Sequence, residues 1–334
     1  MNKRERLEGT IRGEPVDRVA VALWRHWPGD DQRADDLAAA HIAFQREYDW
    51  DFVKVTPSSS FSIRDWGAVD SWAGNTEGTR DYGPTVIRAP EDWLSLRVLD
   101  PTQGSLGEQL RCLEILHAEF GADVPFIQTV FNPLAQMRNL AGDVPLIQHM
   151  RQNAGQVHHA LETICDTTIR FIQEAKSRGI AGIYYAVQHA NYHVLSEAEY
   201  QVFGRPYDQQ ILQSCNDLWL NVLHLHGGYG MFGLVADYPV QIINWHDRES
   251  APSIDAGLKR TKAAASGGVD RDVLHHENPE LALEQAREAL GKTNGRRWIL
   301  GTGCVMLITT PVGNIRKLRS LADQLVPTNK HSEA

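Results

Sequence analysis

Eight short apolar runs, separated by longer stretches with helical periodicity, restrict this chain to a small set of folds. The runs fall at residues 19–24, 52–55, 126–130, 180–187, 218–223, 240–244, 265–269 and 298–300. Strands alternating with helices predict parallel crossovers, which are right-handed and close into a (β/α)8 TIM barrel. A doubly wound open sheet is the alternative, but no G-x-G-x-x-G follows the first run. Between the runs, residues 156–178 show the helical pattern most plainly. Val157, Leu161, Ile164, Thr168, Phe171, Ile172 and Ala175 form one stripe, and Gly179 supplies the stop. Ser196 and Glu199 form a capping box that opens the helix after the fourth strand.

The chain has 334 residues, a length that one barrel with insertions accommodates. Residues 61–90, rich in Ser, Gly, Asp and Trp, predict a β-hairpin inserted after strand two, near the barrel mouth. The barrel domain is expected over 1–326, with 327–334 as a C-terminal tail. A formal net charge of −9, with no Lys/Arg-rich run, disfavours nucleic acid and anionic membranes as partners. The first residues carry charge but no apolar core, and no long apolar stretch occurs, so a cytoplasmic location is expected. Cys112, Cys165 and Cys215 fall in amphipathic segments and read as small core residues. Cys304 differs, because it follows a strand and lies beside Gly303.

In a barrel, chemistry gathers at the C-terminal strand ends. His224 and His226 close the fifth run; two residues apart in an extended strand, they point to one side. With Cys304 after the eighth run, they form a candidate zinc site: His224, His226, Cys304. Rim histidines bonded to backbone carbonyls, with a buried inert thiol, would also satisfy the pattern. Arg25, Trp27, Asn132 and Gln188 follow other strands and are the candidate substrate contacts. Arg25 anchors an anion in this reading, although stacking on Trp24 and Trp27 is the competing one. His246 and His189 are the candidate catalytic groups, with His246 as general acid/base.

Laid out this way, the chain resembles the uroporphyrinogen decarboxylase superfamily. The resemblance runs from Pro15-Val-Asp-Arg-Val19, through Gly179-Ile-Ala-Gly-Ile183 and Phe203-Gly-Arg-Pro-Tyr207, to Gly301-Thr-Gly-Cys304 and Thr310-Pro-Val-Gly-Asn-Ile315. Family decarboxylases carry Arg-Gln-Ala-Gly-Arg after strand one, where this chain has Arg25-His-Trp-Pro-Gly29. Their aspartate after strand two falls at Thr56-Pro57. The zinc-dependent corrinoid methyltransferase branch has His-x-Cys after strand five and a cysteine after strand eight. His224 and Cys304 match it, and His226 stands where that branch has a cysteine. Such a site has less negative charge, making zinc a stronger Lewis acid and a bound thiolate less nucleophilic.

The resemblance implies a (β/α)8 methyltransferase using Zn2+ and a corrinoid such as methylcobalamin, with a small-molecule substrate. A corrinoid protein as partner and a homodimer belong to the same expectation. The alternatives are decarboxylation of a tetrapyrrole or other acid, and a non-catalytic corrinoid-binding barrel.

Overall fold

The computed structural model describes residues 1–327, so the expected tail lies, but for Pro327, outside the described residues. Among the described residues ten strands occur: β1 (Ala20–Val21), β2 (Val53–Val55), β3 (Asp70–Ser71), β4 (Asp81–Tyr82), β5 (Phe126–Phe131), β6 (Gly182–Val187), β7 (Val222–Leu225), β8 (Ile242–Trp245), β9 (Ala264–Val269) and β10 (Trp298–Thr302). Eight form one sheet in the order β1-β10-β9-β8-β7-β6-β5-β2, every neighbouring pair parallel. Each expected run overlaps one of these strands. Every residue of the eight is buried, as parallel strands covered on both faces require. The (β/α)8 expectation is met, with one local difference. The fifth strand is Val222–Leu225 rather than 218–223, because Leu218 and Trp219 are half-buried groups on the approach to it.

The seam between β1 and β2 is closed by a side chain rather than a ladder. Asp51, just before β2, donates its backbone N–H to the Val21 carbonyl at 2.9 Å and accepts the Val21 N–H on its carboxylate at 2.7 Å. That carboxylate is fully buried and also pairs with Arg6 and Arg18, each at 2.7 Å. Arg6 continues to Asp17 at 2.7 Å. The Pro15–Val19 segment is therefore part of the closure.

The helix Ala154–Ser177 buries the whole predicted stripe, and Gly179 follows it at φ 80°. The Ser196/Glu199 capping box is present at the helix Glu197–Phe203. β3 and β4 pair antiparallel, Asp70 opposite Tyr82, and form the inserted hairpin. Arg80 pairs with Asp70 within the hairpin and ties it to Asp31, and Arg271 reaches Glu77 at 2.6 Å. Cys112, Cys165 and Cys215 are core residues whose thiols burial pushes up. Among the described residues, no helix is long and apolar enough to cross a membrane.

Candidate metal centre

β7 carries His224 within the strand, and His226 follows one residue past its end; both imidazoles face one side. The adjacent β8 delivers His246 just beyond Trp245, and β10 delivers Cys304 through the turn Gly303-Cys304. Gly303 is what permits this convergence. A Cβ there would lie 2.8 Å from the Trp245 carbonyl and 2.9 Å from the His246 Cα, so only glycine lets the two strand ends touch. Thr302 braces the turn by donating its hydroxyl to the Cys304 carbonyl at 2.6 Å.

Three donor atoms form a compact triangle. His224 Nε2 lies 3.3 Å from His226 Nδ1, and Cys304 Sγ lies 3.7 Å and 3.8 Å from them. Tetrahedral zinc with ordinary Zn–N and Zn–S bonds sets its ligands about 3.3 Å (N to N) and about 3.6 Å (N to S) apart. The observed edges therefore fit such an ion with little adjustment. His246 joins the cluster, all four donors lying within 4.8 Å of one another. The sequence reading kept His246 apart as an acid/base group, so the fourth donor is an addition made by the fold.

The surroundings fix which atoms face inward. Asn244 donates its amide to the carbonyls of Ser266 and Thr302, at 2.9 and 3.0 Å, which leaves its Oδ1 toward His224. His224 Nδ1 lies 2.7 Å from that oxygen, so it carries the proton and Nε2 is left as a bare donor. His246 Nδ1 lies 3.0 Å from Glu249 Oε1, and its buried Nε2 has no hydrogen-bond partner. Burial opposes ionising the Cys304 thiol, but His224, His226 and His246 outweigh it and hold the group well below the usual thiol range. Burial likewise lowers His246, yet the nearness of Cys304 and Glu249 raises it to about 10. A preformed thiolate beside an orphaned imidazole nitrogen is the chemistry of a cation site.

A cavity of about 530 Å³ opens onto this cluster. Gln188 and His189 are among the residues that line it. His189 is buried with Nδ1 unpartnered, and burial lowers it to about 4, so it is a neutral imidazole near pH 7. Arg25, Trp27 and Asn132 do not line it. Arg25 stacks on Trp27 at 4.8 Å, and Trp27 packs edgewise on His41 and Phe44. Asn132 caps the helix Pro133–Ala141, accepting the Ala135 N–H at 3.2 Å.

The sequence reading missed Lys54, Tyr184 and Asn244. Lys54, on β2, is 4% exposed and lines the cavity, with Nζ 4.6 Å from the Tyr184 ring centroid. Tyr184 in turn stacks on His224 at 5.3 Å. A lysine flanked by valines in a run buried on both faces was the available signal.

The uroporphyrinogen decarboxylase (URO-D) family pattern matches residues 2–325. The chain is 21% identical to the methylcobamide:CoM methyltransferase MtbA of Methanosarcina acetivorans, over 94% of this chain and 96% of the relative. It is 22% identical to the MtbA of Methanosarcina mazei, with the same coverage. Among solved structures, a methyltransferase from Methanosarcina mazei superposes with TM-score 0.84 at 19% identity, covering 97% of this chain and 99% of that one. A B12-independent methionine synthase from Shewanella superposes less closely, with TM-score 0.54 at 14% identity over 92% and 93% of the two chains. A full-length match, the parallel barrel and a histidine-cysteine cluster at its strand ends agree with one another: the chain belongs to the uroporphyrinogen decarboxylase family.

Proposed function

We propose that the protein is a zinc-dependent methyltransferase that moves a methyl group between a corrinoid and a small substrate. The observation that carries the reading is the donor triangle of His224, His226 and Cys304, whose edges match tetrahedral zinc. The MtbA relatives, named for methyl transfer from methylcobamide, support the reaction class.

In this reading His224, His226 and Cys304 hold the ion and leave one corner for substrate. When bound, zinc supplies Lewis acidity that lowers the pKa of an acceptor thiol or polarises a methoxy donor. His246 stands beside that corner. Next to a cation held by the cluster, His246 loses by charge repulsion the proton that Cys304 and Glu249 otherwise keep on it. Its Nε2 is then free to take up the proton that the acceptor releases, with Glu249 against Nδ1. Gln188 and neutral His189 line the cavity and orient the substrate. A corrinoid, free or carried by a partner protein, approaches from the cavity mouth. The decarboxylase alternative relies on Arg25 at the substrate, whereas Arg25 lies on Trp27 outside the cavity lining.

The test is metal analysis of protein purified without added zinc, joined to turnover of methylcobalamin with a thiol. Near-stoichiometric zinc, lost in Cys304→Ser together with turnover, is the expected result. Negligible zinc, or full zinc and turnover in Cys304→Ser, overturns the reading.

A further inference from the structure

The cavity holds a buried basic group that the metal chemistry leaves unused. Three basic side chains other than histidine line it, and two are already matched: Arg80 by Asp31 and Asp70, and Arg138 by Asp143 at 2.9 Å. Lys54 is different. Among the described residues no carboxylate lies within ion-pair distance of its Nζ, although the side chain is almost wholly buried. Its polar contact is the face of Tyr184, at 4.6 Å.

Charging a lysine out of water with no carboxylate beside it costs several kcal/mol, which the more distant Cys304 thiolate offsets only in part, and a strand residue with no function would relieve that cost as an apolar side chain. The cavity-facing position gives the charge a use. Tyr184 also stacks on His224, so the ammonium and the candidate metal ligand are separated by less than the two ring distances together. A substrate of a few atoms bridges that span.

We propose that Lys54 is a specificity-determining residue that receives a negatively charged group on the small substrate while the substrate's reacting atom faces the Cys304 cluster. The substrate class is then a small organic anion, carboxylate, sulfonate or phosphate, bearing the methyl donor or acceptor atom. This deepens the methyl-transfer reading and rests on it for the reaction, but not for the binding preference. Arg80 and Arg138 contribute little to that preference because their charges are already matched.

Titration calorimetry with mercaptoacetate and mercaptoethanol, which share a thiol and differ in charge, tests the assignment without turnover. Wild-type protein is expected to favour mercaptoacetate by about tenfold or more. Lys54→Met is expected to bring the two affinities together with zinc content unchanged, and Lys54→Arg to restore part of the difference. Lys54→Gln serves if Lys54→Met does not fold. A preference equally strong in Lys54→Met and wild type overturns the proposal. So does equal weakening of both probes, the outcome of a purely structural role. Absence of methyl transfer with the charge preference intact removes the proposed function and leaves this assignment standing.

Discussion

The side-chain amide of Asn244 holds the imidazole of His224: Oδ1 accepts the Nδ1 proton at 2.7 Å while the amide nitrogen is fixed by two backbone carbonyls. One residue thereby selects the tautomer that presents Nε2 to the cluster. Asn244→Leu removes the acceptor and is expected to weaken metal affinity by about 10- to 100-fold. Competition with a chromophoric chelator measures it; an unchanged affinity would show that the ring is held by packing alone.

Gly303→Ala places a methyl group against the Trp245 carbonyl and the His246 backbone. The β10 turn must then move outward and carry Cys304 away from the imidazoles. Zinc content is expected to fall with the fold retained, read by metal analysis beside circular dichroism. Full metal loading in the variant would mean that the turn yields elsewhere.

Lys54 gives a pH signature. Burial lowers its folded-state pKa to about 7 from 10.5, against titratable neighbours His26, His41, Tyr184 and Cys304. The unfolded chain therefore binds the proton more tightly, so the destabilisation is complete below about pH 7 and fades as pH rises toward 10.5. Lys54→Met in the metal-free protein should be more stable than wild type at pH 7 by a few kcal/mol in urea unfolding, since one pKa unit is about 1.4 kcal/mol. The gap should narrow by pH 10, and a gap independent of pH would contradict this account.

Asp51 anchors the seam with two arginines and a backbone N–H while fully buried. Asp51→Ala leaves Arg6 and Arg18 without their counter-charge and should destabilise the fold by about 3–5 kcal/mol. Urea unfolding measures it. The metal affinity of the folded fraction should be unaffected.

What the sequence disclosed, and what it withheld, follows from local against tertiary information. The barrel strands are legible because a strand covered on both faces is a short apolar run, and the helix at Ala154 because its stripe repeats at helical spacing. The donor triangle is legible through alternation within β7 and a cysteine ending β10. His246 joins the cluster by packing of β8 between β7 and β9, which spacing along the chain does not express. The valines on either side of Lys54 hint at its burial, but what its amine meets is decided by elements far away in sequence. Arg25 and Asn132 show the converse: residues at the right strand ends whose side chains turn to stacking and capping.

β1 has β10 as its ladder partner, with Ala20 opposite Ile299. β1 thus waits for a strand made far later, and although Asp51 can meet Val21 early, the edge of β1 that faces β10 stays unmatched until then. Closing the barrel therefore depends on a contact between segments nearly the whole chain apart, a non-local pairing that can form only once β10 is available.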